Sequence, residues 1–407
     1  MYNVRKPNFI GCEAVEKGNN MDNKYLGLTP PMGWNSWNTF SEEIDEEVVK
    51  KSADAMVESG LADFGYEYIV IDDCWSLKDR DENGRLEADP KKFPSGMKAL
   101  ADYIHSKGLK FGIYSCDGPL TCCLYPGSFD YEFTDAATFA EWGVDFLKYD
   151  NCFKPAIAGN VLYRRMAMAL RNCGRDILFS ACNWGTEESE KWIRSTGAHM
   201  YRSTGDIRDS WQSIKTLAMS QICKISHSGS YCFNDIDMLV VGMYGKSTNE
   251  YIANADISAC TDIDYRTHFA FWCMMNSPLM IGCDIRNMNE ATKKILTNRD
   301  LIAINQDIEG RSPYYLGSTP ETPREYFWMY KMLSNGDIAL GVFNFSDKKR
   351  GMALQLFDLG LPETTGKCLR AYDCVNGEDF GILPQSVYVH VEAHDCKIFR
   401  CKLEDIK

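Results

Sequence analysis

The sequence predicts an α/β chain: an eight-stranded (β/α)8 barrel followed by an antiparallel β-sandwich. Three observations carry this prediction. Between about residues 30 and 310, eight short apolar runs recur with starts 23 to 42 residues apart, the spacing of strand–helix units with some enlarged loops. The segments between them hold apolar residues at helical period, and parallel strands need covering crossover helices. Beyond Arg311 the helical segments stop, and strand-like runs alternate with turn signals only, as in a sandwich. The chain is thereby divided into an N-terminal extension (1–25), a barrel (26–311) and a sandwich (312–407).

In order, the barrel strands are expected at 32–35, 68–72, 110–114, 146–149, 177–180, 200–202, 238–240 and 279–281. A helix is expected over 41–59. Ser41 can cap it, acidic residues in its first turn oppose the dipole, and Ile44, Val48, Ala55 and Met56 form its apolar stripe. A second helix is expected over 95–106, closed by Lys107-Gly108, and a third over 135–142, closed by Gly143. Ser312-Pro313 and the stretch 320–323 read as a linker. Sandwich strands are expected at 326–333, 338–345, 352–357, 367–372 and 387–392, separated by turns such as Ser334-Asn335-Gly336 and Asn376-Gly377.

Composition narrows the function. At 407 residues the chain can bury a large core, and no run of about 18 apolar residues exists to span a membrane. Acidic residues outnumber basic ones, 57 to 44, and the basic clusters Lys50-Lys51 and Lys348-Lys349-Arg350 are too short to track a phosphate backbone. Neither nucleic acid nor membrane is an expected partner. Six histidines without a ligand-like spacing, no GxGxxG and no Walker A motif leave no expected metal or cofactor. The 17 cysteines are irregularly spaced and often sit in apolar runs, and the N-terminus shows no signal-like apolar region. A reducing cytoplasm is expected ahead of secretion.

In a (β/α)8 barrel the reactive groups stand at the C-terminal strand ends. Those ends read Trp34-Asn35-Ser36-Trp37, Asp72-Asp73-Cys74-Trp75, Tyr114-Ser115-Cys116-Asp117, Lys148-Tyr149-Asp150-Asn151-Cys152, Cys182-Asn183-Trp184 and Arg202 to Asp206, with Asn234-Asp235-Ile236-Asp237 just before the seventh expected strand. A single aspartate there would ordinarily cap the next helix; five acid-bearing ends point to a carboxylate-lined pocket. Carboxylates accept hydrogen bonds from hydroxyls, and indole faces pack on the C–H face of a sugar ring. Paired carboxylates are what glycosidic cleavage needs.

The ordered motifs PPMGWNSWN, IDDCW, KYDNC, CNWG, RSTGDI, FNDIDML and SPLMIGCDIR, covering about residues 27 to 310, resemble glycoside hydrolase family 27, the retaining α-galactosidases. The tail resembles that family's C-terminal β-sandwich. The resemblance implies Asp150 as nucleophile and Asp206 as acid/base. It implies Asp72 and Asp73 on the O4 and O6 side of galactose, and Lys148 reaching O3 and O4. Arg202 and Asp237 would hold O2 and O3 with Cys152 nearby, Trp34 and Trp184 would be walls, and Asn183 with Thr186 would line the C2 side. Lys148 favours an ionised Asp150, whereas Asp206 needs a raised pKa that Arg202 opposes.

Cys122 and Cys152 match a family disulfide at the pocket edge. The partner with which relatives pair the cysteine at position 74 is missing, since 39–60 contains no cysteine. The implied activity is exo-hydrolysis of terminal α-D-galactosyl residues from oligosaccharides such as melibiose or raffinose. The alternatives are an α-N-acetylgalactosaminidase, a β-L-arabinopyranosidase, and outside catalysis an inactive galactose-binding lectin, against which the presence of both Asp150 and Asp206 argues. Monomer, dimer and larger homo-oligomer all occur in the family.

Overall fold

The computed structural model describes residues 26–249, 259–317, 319 and 322–406; the extension expected at 1–25 lies outside the described residues. Eight parallel strands form one sheet: β1 (Met32–Asn35), β2 (Tyr68–Val70), β3 (Lys110–Cys116), β4 (Phe146–Asp150), β5 (Leu178–Cys182), β6 (Met200–Arg202), β7 (Phe233–Asp235) and β8 (Leu279–Ile281). They neighbour one another in the order β7-β6-β5-β4-β3-β2-β1-β8. The ring closes just past β7. There Leu239 bridges in parallel to Ile281, donating its N–H to the Met280 carbonyl at 2.8 Å and accepting from the Gly282 N–H at 2.9 Å.

The seventh strand is therefore Phe233–Asp235, not 238–240. Met238 to Val241 form an apolar run because they are buried, yet only Leu239 keeps a ladder contact, and the Val240 N–H donates to His268 Nε2 at 3.2 Å. The correction moves Asp237 from the entrance of a strand to the C-terminal end of one, where barrel chemistry is held.

Among the described residues the helices are α1 (Trp37–Phe40), α2 (Glu46–Glu58), α3 (Gly96–Ser106), α4 (Glu132–Trp142), α5 (Gly159–Arg171), α6 (Trp211–Gln221), α7 (Asp262–Met274), α8 (Glu290–Leu296) and α9 (Arg299–Asn305). The single helix expected over 41–59 is split. Ile44 is buried with an extended backbone (φ −74°, ψ 137°), separating a 3-10 turn at Ser41–Glu43 from α2. The cap is Asp45, whose carboxylate accepts from the Val48 N–H at 2.8 Å, rather than Ser41. Gly143 ends α4 at φ 85°, a left-handed turn that lets the chain reverse directly into β4.

Helix α7 is buried on nearly every side because it lies between the barrel and the sandwich. Its Phe271 packs edge-on to Phe343 and Phe345, with ring centres 5.3 and 5.4 Å apart. The sandwich comprises β9 (Tyr314–Leu316), β10 (Tyr326–Met332), β11 (Ile338–Asn344), β12 (Arg350–Gln355), β13 (Lys367–Asp373), β14 (Glu378–Ile382), β15 (Ser386–Val391) and β16 (Cys396–Asp405). One sheet runs β14-β13-β16-β11-β10-β9, and β12 pairs with β15 to form the other. Leu340, Val342, Leu354, Val387 and Phe399 are among the residues that fill the space between them.

Three of these strands are not among those expected. Short β9 falls inside the expected linker, and β14 has mostly exposed residues. Strand β16 is masked in the sequence by interleaved Lys397, Arg400 and Lys402, although it pairs on both sides, with β11 and β13.

Candidate active site

The pocket at the C-terminal end of the barrel is lined by Trp37, Asn38, Asp72, Asp73, Tyr114, Cys122, Lys148, Asp150, Trp184, Arg202, Asp206, Asp237 and Met238. Seven side chains named from sequence thus converge with Trp184 and with one half of the expected disulfide. A larger cavity of about 480 Å³ lies at the opposite end, against the entering residues Met32, Tyr68, Lys110 and Leu178. It lacks the convergence of paired acids and cations, so the chemistry belongs to the smaller pocket.

Strand β2 delivers two buried carboxylates. Asp72 Oδ2 accepts from Asn35 Nδ2 at 2.8 Å and from Lys148 Nζ at 2.7 Å, while Oδ1 accepts from the Asp73 N–H at 3.0 Å. Asp73 is held by two backbone amides and by the Thr121 side chain: Oδ1 accepts from the Cys74 N–H at 2.7 Å and Oδ2 from the Cys123 N–H at 3.0 Å. Burial raises the Asp73 pKa against these amides, which pull it down. Burial works against the Lys148 ammonium, but Asp72, Cys182 and Asp150 outweigh it and raise its pKa.

Strand β4 ends at Asp150, only 6% exposed. Its Oδ1 accepts from the Asn151 N–H at 2.9 Å and its Oδ2 from the Tyr114 hydroxyl at 3.1 Å, which fixes the carboxylate plane. Burial raises its pKa, opposed by Lys148 and Arg202. The expectation that Lys148 favours ionisation is thus right in sign, but in the free pocket desolvation is the larger influence.

Strand β6 delivers Arg202, buried and paired with Asp206 and, at 3.5 Å, with Asp237. The Asp206 side chain is 48% exposed, at the mouth. Burial raises its pKa, but the charge and hydrogen bond of Arg202 more than offset that, and the net direction is down. The neighbour that wins in the free pocket is Arg202. Asp237 has φ 96°, a strained backbone for a non-glycine residue. It is over-determined there: Oδ2 accepts from the Ile207 N–H at 2.7 Å, its N–H donates to Asp235 Oδ1 at 2.9 Å, and its carbonyl accepts from Trp272 Nε1 at 2.8 Å.

Two expected residues stand elsewhere. Trp34 is fully buried in the barrel core, its Nε1 donating to the Cys283 carbonyl at 3.0 Å. The wall is Trp37, three residues on, where the chain has left β1. Asn183 is 2% exposed and closes its own turn, with Nδ2 donating to the Thr186 carbonyl at 3.0 Å and Oδ1 accepting from the Gly185 N–H at 3.2 Å. That turn sets Trp184 at φ 58° against the pocket. Tyr114 and Met238 also line the site, and both stand in runs that the sequence marks as strand.

Cys122 and Cys152 form a disulfide. It ties the β3–α4 loop to the end of β4, where Gly118 allows a close approach: a Cβ there would meet the Cys152 carbonyl at 2.0 Å. The sulfurs of Cys122 and Cys152 lie close to the Asp150 carboxylate, but, bonded to each other, they offer no thiolate to a metal. The other group of potential ligands among the described residues is Glu42, Cys74 and Cys123, behind Asp73.

The sequence family described as Alpha galactosidase A matches residues 29–307, and the Alpha galactosidase C-terminal beta sandwich domain matches 327–401. The α-galactosidase of Cyamopsis tetragonoloba is 41% identical over 375 residues, covering 92% of this chain and 86% of that protein. The crystal structure of α-galactosidase I from Mortierella vinacea superposes with a TM-score of 0.83 at 31% identity, over 92% of this chain and 97% of the other. The structure of the Saccharomyces cerevisiae α-galactosidase with raffinose superposes with a TM-score of 0.79 at 29% identity, over 93% of this chain and 98% of that one.

Proposed function

The chain belongs to glycoside hydrolase family 27, the α-galactosidase family, and is a retaining glycoside hydrolase; from that premise we propose that Asp150 is the nucleophile and Asp206 the acid/base in the release of terminal α-D-galactosyl residues. The observation that carries the assignment is the contrast between the two acids. Asp150 is deep, buried and fixed through both oxygens, suited to in-line attack on an anomeric carbon. Asp206 is half exposed at the mouth, where the leaving group departs and water enters.

In the first displacement Asp150 attacks C1 and Asp206 protonates the departing glycosidic oxygen. In the second, Asp206 takes a proton from water, which attacks C1 and frees Asp150. Asp206 must carry a proton for the first step, yet Arg202 holds its pKa down in the free pocket. A sugar that takes Arg202 hydrogen bonds for its 2- and 3-hydroxyls draws the guanidinium away, while the aglycone desolvates the exposed carboxyl. Both changes raise the Asp206 pKa as substrate seats.

Galactose selectivity is assigned to Asp72 and Asp73, which would meet an axial O4 and the O6 hydroxyl, with Lys148 bridging towards Asp150. A glucoside would leave a buried acceptor unpaired, the kind of defect a polar pocket rejects strongly. The substrates proposed are small α-galactosyl oligosaccharides. A panel of p-nitrophenyl α-galactoside, α-N-acetylgalactosaminide and β-L-arabinopyranoside tests the reading; comparable turnover of all three would remove the preference. The proposed compartment is the cytoplasm, supported by 14 free cysteines beside one disulfide among the described residues.

A further inference from the structure

We propose that Glu42, Cys74 and Cys123 form a binding site for a thiophilic divalent cation such as Zn²⁺, set directly behind the sugar pocket and coupled to it through Asp73. The three residues come from separate segments: the 3-10 turn after β1, the end of β2 and the β3–α4 loop. Their donor atoms nevertheless all lie within 4.8 Å of one another. Tetrahedral zinc holds thiolate sulfur at about 2.3 Å and carboxylate oxygen at about 2.0–2.2 Å, so closing the cluster on an ion needs about 1 Å of contraction.

Cys74 is buried, Cys123 half-buried and Glu42 exposed. Three protein ligands would therefore leave a fourth position facing water. Two sulfurs in the set select zinc or cadmium over calcium or magnesium, which take oxygen ligands.

The surroundings suit such an ion. Two thiolates and one carboxylate around a dication leave one net negative charge, and two ammonium groups stand beside it. Lys92 Nζ donates to the Glu42 and Cys74 carbonyls at 2.7 and 2.9 Å, and Lys78 Nζ donates to the Cys123 carbonyl at 2.9 Å. The Cys123 contact and burial both push the Cys74 pKa up. Cysteine binds such an ion as the thiolate, so coordination displaces the sulfur protons. The other titratable groups that face the cluster are Asp73, Asp89 and Tyr125.

The coupling is geometric. The backbone N–H groups of Cys74 and Cys123 both donate to the Asp73 carboxylate, so the residues that grip the cation by sulfur grip Asp73 by their amides. An occupied site would cross-link these two segments by their sulfurs as well.

The test uses the full chain with the Cys122–Cys152 disulfide intact, stripped with a chelator, and titrated with Zn²⁺ and Cd²⁺. Expected are one ion per chain and an ultraviolet thiolate-to-cadmium charge-transfer band. The band should fall by about half or more in Cys74→Ser and in Cys123→Ser, and Glu42→Gln should keep it at weaker affinity. Cys223→Ser, at an exposed thiol, should change nothing. Should Cys74→Ser fail to fold, Cys123→Ser on the loop decides. No ion bound by the disulfide-intact wild type, or an unchanged band in the serine variants, overturns the site. The coupling rests on Asp73 contacting the sugar. It predicts a zinc-dependent KM for the galactoside in wild type but not in Cys123→Ser, and binding without that change would overturn the coupling alone.

Discussion

Lys331 sits at the contact between sandwich and barrel, 1% exposed, with its ammonium on Asn276 Oδ1 and the Cys273 carbonyl. Burial lowers its pKa from 10.5 to about 7. A lysine depressed in the folded state costs stability wherever the unfolded chain holds a proton that the native one refuses. Native stability therefore rises with pH between about 7 and 10.5. Between pH 7 and pH 10 the change from this one group is about 3–4 kcal/mol.

Lys331→Met removes the titration while keeping the apolar stem. It leaves Asn276 Oδ1 without its ammonium donor, at a cost of about 1–3 kcal/mol at every pH. With an unfolding entropy of about 2 cal/mol/K per residue, 1 kcal/mol corresponds to about 1 °C in a chain of this size. The melting temperature of the variant minus that of the wild type should thus be about 4 °C more favourable at pH 7 than at pH 10. Scanning calorimetry or dye fluorescence across that range measures it, and titrations common to both proteins cancel in the difference. A gap that stays constant with pH would refute the reasoning, since Lys331 would then titrate alike in folded and unfolded chains.

Other expectations are as direct. Arg202→Gln removes the charge that lowers both Asp206 and Asp150, so both limbs of the kcat/KM profile should move to higher pH while the maximum falls; an unmoved alkaline limb would separate Arg202 from the acid/base. Asn183→Ser with Thr186→Ala should relax the turn that seats Trp184, and kcat/KM should fall for both galactoside and N-acetylgalactosaminide; a selective gain on the latter would restore Asn183 to the C2 wall. Alkylation without reductant, followed by mass spectrometry, should find most of the 17 cysteines as thiols, with Cys122–Cys152 the exception. Six or more residues in disulfides would defeat the cytoplasmic reading.

Much of the site was legible because barrel strands end in chemistry, and Asp72, Asp73, Lys148, Asp150 and Arg202 stand at or beside such ends. What failed did so for identifiable reasons. Periodicity favours apolar runs, so Met238 to Val240 masked a polar three-residue strand, Phe233–Asp235. Two tryptophans in Trp34-Asn35-Ser36-Trp37 look equivalent as letters; only the point at which the chain leaves the sheet sends one to the core and the other to the pocket. Asn183 illustrates side-chain competition, since a short amide at a turn satisfies its own backbone before it can line a cavity. The pKa of Asp206 was undecidable from sequence because it depends on whether Arg202 or burial dominates, a question of ångströms.

The most direct test of the central claim is the stereochemistry of azide rescue. With α-galactosyl fluoride, whose leaving group needs no protonation, Asp206→Ala should still form the covalent intermediate and stall for want of a base. Azide should then release it as the α-galactosyl azide, after two inversions. In Asp150→Ala azide should occupy the emptied nucleophile space and give the β-azide by one inversion. The anomeric proton in NMR distinguishes the products. A β-azide from Asp206→Ala, or an α-azide from Asp150→Ala, would contradict the account and exchange the two roles.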